Sequence, residues 1–193
     1  MTIVQKYSGS PFLYDADTGD IVGVKDQDGS ELLFMKIPHV ASFYDTTHQT
    51  ATANTATAMT VNTTSIARGI SLVSGSRFTT SRKGTYNVQF SAQLLNTDSS
   101  EHNVSIWLRK NGSDVADSCT DITVPARHGS FDGASVAAWN FFIDLLAGEY
   151  VQLMWSTPST LVTIDYTAAR TSPVRPATPS LIVTINEVDG SYP

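Results

Sequence analysis

Large apolar residues occupy every second position in the segment that follows Gly84. They are Tyr86, Val88, Phe90, Ala92 and Leu94, and polar residues alternate with them. A period of two predicts a β-strand with one packed face and one solvated face. The glycine suits a turn that leads into this strand, because it adopts backbone angles that other residues resist.

Shorter runs of the same kind continue to the end of the chain, separated by turn signals such as Asn111-Gly112 and Ala147-Gly148. Their spacing predicts an all-β sandwich or barrel. The prolines of residues 172–179 predict an extended connector, because proline cannot pair within a central strand. The predicted strands are residues 41–44, 58–62, 70–73, 77–79, 85–95, 104–110, 122–124, 134–146, 150–156, 160–166 and 181–188.

Residues 1–40 differ in texture from the remaining 41–193 and predict a separate N-terminal β-hairpin. Two Asp- and Gly-containing turns, within residues 15–20 and 25–30, each precede an apolar run. A lone hairpin is marginally stable in water, so we expect this segment to pack on another surface. Its apolar positions are Ile21, Val22, Val24, Leu32, Leu33 and Phe34.

Composition narrows the functional classes. The 193 residues carry a net charge of −6 and no run of Lys or Arg, which argues against nucleic-acid binding. The N-terminal residues lack the apolar core of a secretory signal, and no apolar stretch is long enough to cross a membrane. We therefore expect a soluble protein made in a cytoplasm. Cys119, the single cysteine, is expected to be a small buried hydrophobe.

No motif for catalysis or metal binding stands out. Asp15, Asp17, Asp20, Asp26 and Asp28 suggest calcium, but their spacing departs from a calcium-binding loop and suits solvated turns. The sequence therefore predicts no metal site, no cofactor and no catalytic residue. The histidines lack the spacing of metal ligands. His, Ser and Asp occur together within residues 128–132, but catalytic partners usually converge from distant segments, so a flexible glycine-containing loop is favoured there. These histidines are His39, His48, His102 and His128.

The segment from Phe78 to Phe90 resembles the motif of the complement C1q-type globular head, in the tumour-necrosis-factor-like (TNF-like) jelly-roll superfamily. In that motif a Phe is followed after five residues by a Gly and then by alternating large residues. Residues 105–112, 147–153 and 180–185 resemble later strands of the same family, in the same order. The resemblance implies an antiparallel jelly-roll sandwich that forms homotrimers and binds other molecules.

Three further sequence segments are similar to segments of bacteriophage structural proteins, particularly those of cyanobacterial phages. They cover residues 107–112, 137–142 and 152–156, and the approach to the final strand at 175–180 is similar too. This resemblance implies a protein of the virion exterior. Residues 1–40 have no counterpart in the animal heads, and we interpret their apolar positions as a virion anchor.

Aromatic residues are the candidates for a trimer interface, because the superfamily buries such rings between subunits around a three-fold axis. The pair Phe141 and Phe142 points to opposite faces of one strand, as expected between the subunit's core and a neighbour. Other rings are expected to fill the sandwich itself. The predicted interface residues are Tyr86, Phe90, Trp139, Phe141 and Tyr150.

Three functions follow from this reading. The first is a non-enzymatic trimer that decorates or cements the capsid, or forms a head fibre, with the major capsid protein or another virion protein as partner. The second is the receptor-binding tip of a tail fibre, which presents loops 96–103 and 125–133 to a host-surface glycan or protein. The third, a glycan hydrolase, is disfavoured because no pair of carboxylates stands out.

Overall fold

The computed structural model describes residues 3–4, 11–16, 21–25, 31–33 and 38–189. The chain divides into two compact units, Met1–Pro38 and His39–Pro193. Every regular element in the described ranges is a β-strand. The chain is therefore all-β and antiparallel, as the alternating pattern predicts.

The described residues of the first unit form a small antiparallel sheet of four strands in sequential order, rather than the predicted two-stranded hairpin. Leu13 is buried and Gly23 lies beside it in the register between the second and third strands. The strands are β1 (Ile3–Val4), β2 (Phe12–Asp15), β3 (Ile21–Lys25) and β4 (Glu31–Leu33).

The second unit contains fifteen strands, of which β10 and β14 are the longest at 13 residues each. They are β5 (Val40–Asp45), β6 (Thr57–Ala58), β7 (Thr63–Arg68), β8 (Ile70–Val73), β9 (Arg77–Thr80), β10 (Gly84–Asn96), β11 (His102–Lys110), β12 (Ser113–Asp114), β13 (Thr120–Val124), β14 (Gly133–Leu145), β15 (Tyr150–Ser156), β16 (Val162–Ile164), β17 (Arg170–Thr171), β18 (Val174–Arg175) and β19 (Leu181–Asp189).

Two sheets build the sandwich. The six-stranded sheet has the order β14-β10-β19-β5-β7, with β16 paired to the far end of β10. The seven-stranded sheet has the order β12-β11-β15-β9-β8, with β13 and β6 attached at its sides. Strands distant in sequence, such as β5 and β19, lie side by side, as expected when two sheets are connected by crossovers.

The core lies between the two sheets and follows from the alternation in β10 and β15. Tyr86, Val88 and Phe90 point inward from β10 and are nearly fully buried. Leu153 and Trp155 do the same from β15 on the opposite sheet. Each buried aromatic ring, such as that of Phe90 or Trp155, contributes about 2–3 kcal/mol of transfer free energy. Burial of these side chains is therefore a large part of the stability of the unit.

Most strand predictions are confirmed, but the predicted strand at 160–166 shortens to the three residues of β16, and β7, β12, β17 and β18 were not predicted. The predicted strand at 58–62 shortens to β6, although Met59 and Val61 remain buried beside it. β7 escaped prediction because its mainly polar sequence lies exposed at the sheet edge. The proline-rich connector includes the short β17–β18 hairpin.

Cys119 is exposed, so the expectation of a buried thiol is wrong. Its neighbour Ser118 is the residue that turns inward. The Ser118 hydroxyl accepts a hydrogen bond from the Leu108 amide at 3.1 Å and donates one to the Val115 carbonyl at 2.8 Å. The serine meets the hydrogen-bonding demand of the buried backbone there, which a cysteine would meet poorly.

Gly133 tests the packing at the start of β14. A Cβ atom on this residue would lie 1.8 Å from the Pro125 carbonyl oxygen, so Gly133→Ala forces the backbone apart. We expect a loss of about 1–3 kcal/mol or more in the free energy of unfolding, measured by urea denaturation. The neighbouring Ala134→Ser, at an exposed position, is the control and should change little. Equal stability of Gly133→Ala and the wild type would contradict this packing.

Candidate functional site

A cluster of three rings lies at one edge of the six-stranded sheet. Phe90 on β10 faces Trp139 and Phe141 on β14, with ring centroids 4.7 and 6.3 Å away. The register explains the contact, because Phe90 pairs with Trp139 and the two-residue period places Phe141 on the same face. β14 is the edge strand of the path, so Trp139 and Phe141 remain partly exposed.

Tyr86 and Phe90 belong to the subunit's own core. They are 0% and 5% exposed, so neither ring is available to a second subunit as the sequence interpretation supposed. The Tyr86 hydroxyl donates to the Arg82 carbonyl at 2.9 Å and contacts Thr80 and His39. Burial raises the pKa of Tyr86, with the Thr80 hydrogen bond opposing the change. Tyr86 therefore anchors the entry to β10 from within.

Tyr150 lies in the other sheet, where it is half-buried. The Arg77 guanidinium stands 4.9 Å from its ring centroid, a cation–π contact. The structure thus brings together Phe90, Trp139 and Phe141 but places Tyr150 on a different surface. The predicted interface set does not form one patch.

The outward face of the six-stranded sheet is free of charge along β10 and along most of β14 and β19. Residues 84–96, 133–143 and 181–186 contain no Asp, Glu, Lys or Arg. Phe142 is 64% exposed on this face, beside Asn87 on β10. Uncharged surface with an exposed ring has the composition of an interface centre, where charged residues are depleted.

Further exposed apolar side chains accompany Phe142 on this outward face. Val136 is 55% exposed and Ile182 is 38% exposed, and both alternate with inward-facing core residues. A shallow cleft of about 270 Å³ lies near Val136 and is also lined by Leu95 and Asp165. We define the outward face that carries Phe142, Val136 and Ile182, and that excludes Asp144 and Asp165 at its borders, as the uncharged face.

Two loops predicted to present a binding surface lie together at the end of the sandwich where β10 finishes. Asn96, fully buried, donates to the Ser100 carbonyl at 2.8 Å and to the Pro125 carbonyl at 3.0 Å. The Arg127 amide donates to the Asp98 carbonyl at 2.7 Å. These bonds join loop 97–101 to loop 125–132, and we call this end the apex.

A contact between a histidine and a carboxylate shapes the first apex loop. His102 Nε2 lies 2.8 Å from the Asp98 carboxylate at i,i+4 spacing. The hydrogen bond from His102 is the main cause that lowers the pKa of Asp98, and bonds from the Ser99 and Ser100 amides add to it. The carboxylate is therefore already occupied within its own loop.

The opposite end holds a charged network around Glu187. The Arg82 guanidinium binds this carboxylate, with Nε at 3.0 and 3.1 Å from its two oxygens. The His39 amide donates to the same group at 3.0 Å. Because the Glu187 side chain is 3% exposed, the network fixes the start of β5 to the end of β19.

Metal and membrane features are absent from the part of the chain that the structure describes. No group of three His, Cys, Asp or Glu side chains there is arranged to hold a metal ion. The acidic N-terminal turns with Asp17, Asp20, Asp26 and Asp28 lie outside the described residues. Among the described elements, no helix is long and apolar enough to cross a membrane.

Comparison with known proteins identifies the fold. No family model matches the chain, and no curated protein matches it. Among solved structures, 217 chains match. One is the structure of Eiger TNF from S. frugiperda, with a TM-score of 0.51 and 11% identity, over 81% of this chain and 96% of that chain. The fold is therefore a TNF-like jelly roll.

The Asp98–His102 contact gives a pH-dependent prediction. Replacing His102 with Leu removes the hydrogen bond, so the pKa of the Asp98 carboxyl should rise toward the ordinary value of about 3.9. Because the folded-state pKa is the lower one, the contact stabilises the fold above the unfolded pKa and is lost as pH falls through the folded pKa. An NMR titration of the Asp98 side chain measures this change.

The control for that titration is His128→Leu, in the adjacent apex loop. His128 forms a backbone bridge with Phe131 and has no contact with the Asp98 carboxylate. The pKa of Asp98 should be the same in this variant as in the wild type. An Asp98 pKa that stays low in His102→Leu would show that the loop amides, not the histidine, set it.

Proposed function

We propose that this chain is a non-enzymatic bacteriophage virion protein that works as a homotrimer on the capsid exterior, as a decoration or cement protein or as a head fibre. The observation that carries the proposal is the uncharged face around Phe142, which a lone subunit leaves in water. The phage assignment draws on the resemblance of residues 107–112, 137–142 and 152–156 to phage structural proteins.

A trimer uses the two unlike surfaces that each subunit offers. One is the uncharged face, and the other is the edge of β14, where Trp139 and Phe141 are partly exposed. A face-to-edge contact is heterologous, and repeating it by a rotation of one third of a turn closes a ring of three. Such a ring covers Phe142 and the edge rings at once. An obligate interface of this kind buries about 2,000 Å² or more.

The first unit supplies the anchor in this proposal. Ile21 is 45% exposed and Val24 is half-buried on β3. Val22, Leu32 and Leu33 lie in the same sheet, whereas Phe34 lies outside the described residues. The partner is the major capsid protein or another virion protein. Repetition of weak contacts by symmetry gives such an attachment its strength.

The apex supports a second candidate function, the receptor-binding tip of a tail fibre. Its two loops are joined by Asn96, and Phe131 at the turn of the second loop is 77% exposed. A host-surface glycan or protein is the ligand in this case. Electron microscopy of virions that carry a labelled copy separates the two candidates, because the label lies on the head in the first and at the tail tip in the second.

Phe142→Asp tests the trimer. A carboxylate at the centre of the uncharged face would be buried without a partner, so assembly should fail while the subunit stays folded. Light scattering during gel filtration should give about 62 kDa for the wild type, three times the 20.8 kDa chain, and one third of that for the variant. Circular dichroism checks that the variant remains folded.

The matched control is Val174→Asp in the β17–β18 hairpin, where the side chain is 87% exposed and lies off the uncharged face. This variant should remain a trimer. A trimeric Phe142→Asp protein would exclude the uncharged face as the subunit contact.

Removal of residues 1–38 tests the anchor. The second unit holds its own core, so we expect the truncated chain to remain a folded trimer. Virions assembled with it should carry less than about a tenth of the full-length amount, by quantitative blotting, since the attachment surface is gone. Incorporation at the full-length level would refute the anchor.

A further inference from the structure

The apex contains a polar cleft between its loops. Its volume is about 440 Å³, within the range of roughly 300–1,000 Å³ typical of small-ligand sites. β5 and β10 run in the same direction on either side of β19. The cleft, which lies where β10 ends, is therefore at the opposite end of the sandwich from His39, where β5 begins. The lining residues are Thr97, Asp98, Ser99, Arg127, Gly129 and Leu161.

The walls of this apex cleft are held in place before any ligand arrives. Asn96 fixes both loops through its two donated hydrogen bonds, and the Thr97 amide donates to the Leu161 carbonyl at 3.1 Å. Gly133 lets the second loop approach β14 more closely than any other residue would allow. A site that is already ordered loses less entropy on binding.

Arg127 is the charged group left for a ligand. Its Nε donates to the Gly129 carbonyl at 2.9 Å, which orients the guanidinium, and the residue as a whole is exposed. Within residues 38–189, no ion pair involves Arg127. Asp98, the acidic residue in the cleft, is held by His102 instead. Asp98 is already bonded to His102 and to the Ser99 and Ser100 amides, so Arg127 is the charged group that an anionic ligand would meet in the cleft.

The other lining groups suit a ligand with hydroxyls and an apolar face. Thr97 and Ser99 contribute exposed hydroxyl groups that can accept hydrogen bonds from a ligand. The Thr97 hydroxyl itself donates to the Leu161 carbonyl at 3.2 Å, and the Ser99 hydroxyl donates to the Asp98 carboxylate at 3.5 Å. Leu161, 46% exposed, forms an apolar part of the wall. Phe131, 77% exposed, stands in the same turn as Gly129. The cleft therefore combines a cationic guanidinium, two hydroxyl groups and an apolar wall.

We propose that the apex cleft binds a carboxylate-bearing saccharide unit, such as a uronic acid residue of a surface polysaccharide. The Arg127 guanidinium forms paired hydrogen bonds with the sugar carboxylate, a geometry that its planar fork matches. Thr97 and Ser99 bind ring hydroxyls, and Leu161 packs on the C–H face of the ring. The site lies within one subunit, so it is independent of trimer formation.

Single-site affinity in such a shallow cleft is expected to be weak, about millimolar. If the chain is the proposed trimer, three apex clefts on one axis add an avidity of about 10²–10⁴ for a polymer that reaches more than one of them. This part rests on the proposed function, whereas the binding site itself does not. Free monosaccharides therefore probe the site, and the polymer probes the assembly.

The test compares methyl β-glucuronide with methyl β-glucoside, which differ in the carboxylate, by NMR titration of the full-length chain. The backbone amides of Ser99, Arg127 and Gly129 should shift and saturate with the glucuronide. The glucoside should bind at least about tenfold more weakly, a difference of 1.4 kcal/mol. Arg127→Gln should abolish that preference, because the amide has no charge.

Arg68→Gln is the matched control, since Arg68 is also exposed but lies at the other end of the sandwich, where β7 pairs with the start of β5. It should bind the glucuronide as the wild type does. Equal binding of the two sugars, unchanged affinity in Arg127→Gln, or no shift up to about 50 mM would overturn the proposal. Light scattering on the same samples reports the oligomeric state, so failure of the cleft and failure of the trimer are distinguished.

Discussion

The pairing of β10 with β14 and β19 is the constraint on which the rest of the structure depends. β10 runs for 13 residues between β14 and β19 in the six-stranded sheet, and its alternation places the side chains on two faces. The inner face, with Tyr86 and Phe90, builds the core of one subunit. The outer face carries Asn87, Gln89 and Ser91, of which Gln89 is exposed, and in the proposed trimer a second chain covers this face.

This division links the fold to its proposed function. Charged side chains on the outer face would oppose association, and residues 84–96, 133–143 and 181–186 have none on either face. Phe142 then stands out, because its neighbours in the sheet are small or amide-bearing residues such as Asn87 and Asn140. Uncharged polar groups cost less free energy to desolvate than ions do, so such a face is suited to contact with another subunit.

The strands with strong alternation were predictable from sequence, and those without it were not. β15 matches its predicted span because Val151, Leu153 and Trp155 recur at every second position, although Gln152 and Met154 between them are buried as well. β7 was missed because an exposed edge strand needs no apolar pattern. Its position is set by pairing with β5, a long-range contact that no local pattern records.

The candidate surfaces were predicted only in part for a similar reason. The sequence identified the aromatic residues, but the register between β10 and β14 decides which of them are buried. Tyr86, predicted at the interface, therefore lies in the core, whereas Phe142 is exposed. The apex cleft depends on Asn96, whose side chain joins two loops far apart in sequence. Nothing in the local sequence of either loop indicates that Arg127 and Asp98 share a cleft.

The central claim is that copies of this chain cover the uncharged face. Sedimentation velocity of the unmodified full-length chain, diluted from about 10 µM to about 10 nM, tests it most directly, because dissociation of a weak complex depends on protomer concentration. The account predicts the mass of three chains throughout the series. A folded single chain at every concentration would contradict it.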